Sequence, residues 1–75
     1  MKKNIKVLSI LEELNESQTN LAKKAKICLW IVNQGLRGRY ELKDKQKTAI
    51  TGAINGLMPP WQSYTVEDLF GEDVR

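Results

Sequence analysis

Two amide side chains and an arginine share one face of a helix predicted in the middle of the chain. Asn33, Gln34 and Arg37 recur with the spacing of a helical turn, and Trp30 lies one turn earlier. Amides can hydrogen-bond to base edges, an arginine can bind phosphate, and an apolar ring can contact a thymine methyl group. These side chains therefore suit the recognition of nucleic acid.

Residues for catalysis are scarce. The 75 residues include no histidine and one cysteine, which rules out a disulfide framework and histidine acid–base chemistry. The serines have no histidine base, and no glycine-rich phosphate loop is present. We expect no catalytic residue, no metal site and no cofactor. Cys28, alone on an apolar helix face, is expected to be a small core residue.

The net charge of +3 is unevenly distributed. Residues 1–47 carry eleven Lys/Arg against five Asp/Glu, and residues 48–75 carry one against four. A basic first two-thirds favours a face that meets a polyanion, and the alternative is a solvated surface with random charge placement. No apolar run approaches the ~20 residues of a membrane span and no signal peptide is recognisable, so we expect a cytoplasmic protein.

Two short helices joined by a tight turn must position the amides. The first is predicted over Gln18–Ala25 with Ser17 as its N-cap, and the second over Cys28–Arg37. Lys26 lies in the turn. Gly38 is expected to close the second helix.

The flanking segments predict three more helices. One is capped by Asn4 and runs to about Asn15, one runs from Lys43 or Asp44 to Asn55 with Gly56 as its stop, and one covers Val66–Phe70 with Thr65 as its cap. The sequence thus predicts an all-α bundle of about five short helices in a single domain, residues 1–75.

Gly35 is a glycine inside the second helix of the central pair. It costs roughly 1 kcal/mol relative to alanine. We interpret it as leaving room for a large side chain from elsewhere, with Trp61 or Tyr40 as the candidates.

The central segment, residues 17–38, resembles the Cro/repressor (XRE-type) helix-turn-helix family of phage and bacterial transcription regulators. The matching residues are Gln18, Leu21, Ala22, Ile27, Val32 and Gly38. With its flanks the resemblance covers almost the whole chain. The turn of the family usually carries glycine, so the resemblance implies that Lys26 accepts a left-handed or otherwise costly backbone conformation. It implies a compact, lambda-repressor-like DNA-binding domain whose second motif helix, about residues 28–37, lies in the major groove.

The resemblance also implies which residues contact DNA. The base-contacting residues would be Leu29, Trp30, Asn33 and Gln34. The backbone-contacting residues would be Gln18, Thr19, Lys26, Arg37, Arg39 and Lys43. Three interpretations of Trp30 stay open: contact with a base or sugar, packing over the edge of the core, or contact with a protein partner.

A single helix in one groove reads only a few base pairs, so we expect a homodimer on a palindromic operator. The pairing surface should be apolar and lie in the acidic third of the chain. The residues predicted for it are Met58, Pro59, Trp61, Tyr64, Leu69 and Phe70. The alternative is that Trp61 and Phe70 close the core of their own chain.

A second function class depends on the neighbouring apolar residues Leu29 and Trp30. An apolar patch on a polar surface is a common feature of protein-binding sites. The alternative function is therefore a helix-turn-helix-derived modulator, antirepressor or antitoxin that acts through another regulator protein.

Overall fold

The computed structural model describes residues 4–59 and 61–71, and within that part the chain forms five helices and no strand. The helices are α1 (Ile5–Glu13), α2 (Gln18–Ala25), α3 (Leu29–Leu36), α4 (Asp44–Leu57) and α5 (Val66–Phe70). None of these five is long and apolar enough to cross a membrane. The predicted all-helical bundle is confirmed.

Side-chain caps start α1 and α2 at the residues that the sequence predicted. The Asn4 carboxamide oxygen accepts a hydrogen bond from the Val7 N–H (3.0 Å), and the Ser17 hydroxyl accepts one from the Asn20 N–H (3.1 Å). Each cap satisfies a backbone donor that has no partner inside its own helix. The two starts are therefore local consequences of single residues.

Thr65 and Asp68 form a reciprocal capping box at the start of α5. The Asp68 N–H donates to the Thr65 hydroxyl (3.1 Å), and the Thr65 N–H donates to the Asp68 carboxylate (2.9 Å). The Thr65 backbone N–H, more than any other group, lowers the pKa of Asp68 below its ordinary value. The predicted cap and the end of the helix before Gly71 are both confirmed.

Left-handed residues end the first three helices. Asn15 (φ 57°), Lys26 (φ 59°) and Gly38 (φ 80°) follow α1, α2 and α3 in turn. In each case the next residue donates its N–H to a carbonyl five residues back: Glu16 to Leu11 (2.9 Å), Ile27 to Ala22 (3.0 Å) and Arg39 to Gln34 (2.8 Å). These are Schellman motifs, although only one of the three has the glycine that the position favours. The predicted conformation of Lys26 and the predicted role of Gly38 are confirmed.

The core collects apolar side chains from all five helices and from Leu42 in the α3–α4 connection. Its fully buried members are Val7, Leu21, Val32, Leu36, Ile50, Ile54 and Leu69. Helix α2 packs against both α3 and α4, α1 packs on α3, and α5 packs on α4. The inner face of α3 is thereby fixed, and its other face is left outward.

Asn4 also joins three helices. Its backbone N–H donates to the Leu36 carbonyl at the end of α3 (2.7 Å), and its side-chain amide donates to the Leu69 carbonyl in α5 (3.0 Å). The residue is 7% exposed. One buried asparagine therefore caps the start of α1 and pairs with carbonyls from the last turns of two other helices.

Cys28 is exposed, so the prediction that it is a core residue is wrong. Helix α3 begins at Leu29, and Cys28 is its N-cap with non-helical backbone angles. It therefore lies outside the register of the apolar face. Val32 and Leu36 form the buried part of that face.

The space beside Gly35 is filled by Leu42, and the predicted candidates are wrong. A Cβ atom at Gly35 would lie 2.6 Å from a Leu42 methyl carbon. Trp61 is 84% exposed, and Tyr40 packs edge-on against Trp30 instead. The glycine does accommodate a large side chain, but that side chain is an aliphatic one seven residues later.

Helix α4 passes through Gly56 and ends at Leu57, which corrects the predicted stop. Met58 is extended (φ −90°, ψ 159°), as expected for a residue that precedes a proline. Pro59, and not Gly56, therefore sets the end of this helix.

Candidate nucleic-acid interface

The outer face of α3 carries the side chains predicted to contact DNA. Leu29 and Trp30 are 43% and 58% exposed, Asn33 and Gln34 are half-buried, and Arg37 after the last turn is exposed. The opposite face is anchored by Val32 and Leu36, both 0% exposed. Burial of one face thus fixes the direction in which the polar set points.

A chain of hydrogen bonds links three amide side chains across α2 and α3. The Gln34 side-chain amide donates to the Asn33 oxygen (3.0 Å), and the Asn33 amide donates to the Gln18 oxygen (2.9 Å). Sequence reasoning missed this chain, because Gln18 and Asn33 are far apart in sequence and meet only through the packing of α2 on α3. The sequence feature that could have indicated the chain is the placement of Gln18 at the start of one helix and of Asn33 inside the next.

Trp30 packs on Tyr40 without entering the core. The two rings meet edge-on, with centroids 5.7 Å apart and planes at 68°. Tyr40 is half-buried against the core and supports the indole from the protein side. Through Tyr40 the indole packs over the edge of the core, and at 58% exposure it still leaves an aromatic surface available for DNA or for a protein partner.

Cations lie at both ends of α3. Lys26 is exposed in the three-residue turn before the helix, and Arg37 and Arg39 are exposed on either side of Gly38 just after it. Lys43 is exposed at the start of α4. A polyanion lying along the outer face of α3 would therefore meet positive charge before and after the amides.

Gln18 and Thr19 occupy the first turn of α2. Thr19 is exposed, and Gln18 is half-buried because its oxygen faces Asn33. The first-turn N–H groups of a helix favour anions such as phosphate. The start of α2 is thus available beside the amide chain.

Two of the residues predicted for a dimer interface are buried in the core. Leu69 and Phe70 are 1% and 5% exposed, because the apolar side of α5 packs on α4. Their assignment to an interface is wrong. Phe70 closes the core of its own chain, which the sequence left as the alternative.

The other residues predicted for the interface lie at the surface of the α4–α5 connection. Met58, Pro59 and Tyr64 are half-buried, and Trp61 is the most exposed large apolar side chain in the described part of the chain. Asn55 holds the far end of this connection by two bonds with the Tyr64 backbone (2.7 and 2.8 Å). Trp61 therefore stands exposed on a connection that is fixed at Tyr64.

A likeness to known proteins would rest mainly on α2, α3 and the turn between them. Comparison with protein-family models, with curated proteins and with solved structures finds no match to this chain. The role of the outer face of α3 is therefore inferred from its own geometry and charge.

Proposed function

We propose that this protein is a sequence-specific double-stranded DNA-binding transcription regulator of the Cro/repressor-like helix-turn-helix type. The observation that carries the proposal is α3 itself. One face of it is buried, and the other presents two amides, an exposed tryptophan and an arginine, with further cations beyond both ends. A helix of this kind fits the major groove of B-DNA.

Gln34 is the residue best placed to read a base. Its amide nitrogen carries two hydrogens and uses one on Asn33, while no group in the described part of the chain donates to its oxygen. The second hydrogen and the oxygen match the N7 and N6 groups of adenine, a bidentate contact worth about 1–3 kcal/mol of discrimination. Leu29 and Trp30 would contact thymine methyl groups or sugars beside it.

Phosphate contacts would position the helix without reading sequence. The residues proposed for them are Gln18, Thr19, Lys26, Arg37, Arg39 and Lys43. Each neutralised phosphate releases condensed counterions, so affinity should fall steeply as salt rises.

We propose that two copies pair through the exposed part of the α4–α5 connection, Met58, Pro59, Trp61 and Tyr64. Pairing would place two recognition helices one helical turn of DNA apart, about 34–36 Å, on a palindromic operator. The site of action would be the bacterial cytoplasm or nucleoid.

Selection of bound duplexes from a random library tests the proposal. Wild-type protein should enrich one sequence family. Gln34→Ala should lose affinity mainly for that sequence, whereas Arg39→Ala should weaken binding to all duplexes alike and flatten the salt dependence. Failure of the wild type to enrich any sequence would contradict the proposal.

A second candidate function is favoured by the exposure of Leu29 and Trp30. Their apolar surface would equally suit contact with another regulator protein, as in an antirepressor, a modulator or an antitoxin. Trp30→Ala separates the two. Loss of a protein complex, with DNA binding unaffected by Gln34→Ala and Arg39→Ala, would favour the partner-binding role.

A further inference from the structure

We infer that Asn33 reads no base and is instead a positioning residue that fixes the side-chain amide of Gln34, so that the protein selects adenine over guanine. The inference rests on the proposed function and deepens it. It assigns different roles to two neighbouring amides that the sequence treats alike.

The hydrogen bonds of Asn33 carry the argument. Its oxygen accepts from Gln34 and its nitrogen donates to Gln18, so both ends of the side chain are engaged inside the protein. Asn33 is half-buried between α2 and α3. Each end of Asn33 keeps one further hydrogen-bonding site, but to turn both of them toward a base the half-buried amide would have to rotate away from Gln18 and leave Gln34 without its support.

The direction of the chain decides what Gln34 presents. Because Asn33 offers its oxygen, the Gln34 nitrogen turns toward it and the Gln34 oxygen turns away. An outward oxygen with one remaining N–H matches adenine, which presents a donor and an acceptor in the major groove. Guanine presents two acceptors there and would face the Gln34 oxygen unfavourably. A Gln34 amide that is free to rotate could instead offer its two hydrogens to guanine.

Gln18 completes the chain at the other end. Its oxygen is engaged by Asn33, and none of the described residues accepts from its two amide hydrogens, which can therefore donate to a ligand. At the start of α2 these donors suit a phosphate. The contact that positions the helix and the contact that reads the base are therefore joined through Asn33.

The test measures the affinity of purified variants for the selected duplex and for its single-base-pair substitutions. Asn33→Ala should reduce the discrimination of adenine over guanine about tenfold. The loss should occur at the same base pair at which Gln34→Ala reduces discrimination. The double variant should lose no more discrimination than Gln34→Ala alone. Asn33→Asp, which keeps an oxygen for Gln34, should retain the discrimination while binding every duplex more weakly.

Asn20→Ala is the matched control, because Asn20 is an exposed α2 asparagine whose amide bonds only to Glu16 among the described side chains. It should leave discrimination unchanged. A second readout needs no DNA: in NMR spectra, Gln18→Ala should shift the side-chain amide signals of both Asn33 and Gln34. If these signals did not shift, the hydrogen-bond chain would be absent from the free protein and the inference would be overturned.

Three binding results would overturn the inference. If Asn33→Ala reduced discrimination at a different base pair, Asn33 would be shown to read a base of its own. A uniform loss of affinity with intact discrimination would show a structural role only. A wild type that selects no duplex would remove the proposed function and this inference with it, whereas the first two results leave the proposed function standing.

Discussion

At the scale of single residues, Asn4 joins three helices through hydrogen bonds. Its side chain accepts from Val7 and donates to the Leu69 carbonyl, and it is buried. Removing it leaves a helix donor and a buried carbonyl without partners. Asn4→Ala should therefore lower the free energy of unfolding by about 2–3 kcal/mol, measured by urea denaturation.

Two further variants isolate the long-range bond. Ser17→Ala removes an exposed cap and should cost only about 1 kcal/mol. Asn4→Asp keeps the cap but cannot donate when ionised, so at neutral pH it should be destabilising. If Asn4→Asp matched the wild type in stability at pH 7, the bond to Leu69 would contribute nothing.

The two roles of Asn4 show what sequence can predict at this scale. Its cap is local and was predicted from the residue type. Its bonds to Leu36 and Leu69 join residues distant in sequence, and no local pattern indicates them. The exposure of Cys28 was missed because α3 begins at Leu29, one residue later than predicted. Cys28 is therefore the N-cap and not part of the buried face.

At the scale of elements, the turn between α2 and α3 contains a strained residue. Lys26 is left-handed, a conformation that costs a non-glycine residue roughly 1–2 kcal/mol. Lys26→Gly should raise the free energy of unfolding by about 1 kcal/mol and, by removing a proposed phosphate contact, weaken binding to every duplex.

Asn15→Gly is the control for Lys26→Gly. Asn15 has the same conformation after α1, and asparagine adopts it more readily than lysine. This variant should give a smaller gain in stability and no change in DNA affinity. Equal losses of affinity in both variants would contradict a phosphate contact by Lys26.

Replacement of two helical glycines by alanine should have opposite effects on the stability of the protein. A Cβ at Gly52 meets no atom within 4 Å, so Gly52→Ala should stabilise the protein by about 0.5–1 kcal/mol. A Cβ at Gly35 would lie 2.6 Å from the buried Leu42 side chain, so Gly35→Ala should destabilise it by about 1 kcal/mol. Thermal denaturation checks both, and stabilisation by Gly35→Ala would show that Leu42 can move aside freely.

Gly35 also shows how far elements can be predicted from sequence. The helix periodicity and the caps of α1, α2 and α5 followed from local patterns. That Gly35 leaves room for a large side chain was predicted, but its occupant was not. Leu42 lies in a connection with no periodicity, and only its packing in the folded chain identifies it.

At the scale of the whole molecule, substitutions of two exposed tryptophans distinguish self-association from DNA contact. Trp61→Ala should shift the proposed dimer toward monomer in sedimentation experiments, because it removes the most exposed apolar side chain of the proposed pairing surface. Trp30→Ala, which removes an exposed tryptophan of the proposed DNA face, should leave the association state unchanged. A wild type that stays monomeric at tens of micromolar, both free and on DNA, would contradict the dimer.

The candidate site was only partly predictable. The exposed set on α3 and the cations at its ends follow from helical spacing and charge. The amide chain through Gln18, Asn33 and Gln34 and the support of Trp30 by Tyr40 depend on how separate elements meet. Leu69 and Phe70 were misassigned because an apolar residue near the end of a chain fits a core and an interface equally well by type.

Titration of the selected duplex and of a shuffled duplex, each at about 50 and 200 mM salt, tests DNA recognition most directly. The proposed function predicts that the selected duplex binds about a thousandfold more tightly or better. It also predicts that affinity falls on the order of a thousandfold or more between the two salt concentrations, given four cationic contacts in each of two copies. Equal affinity for the two duplexes, or an affinity that does not change with salt, would contradict it.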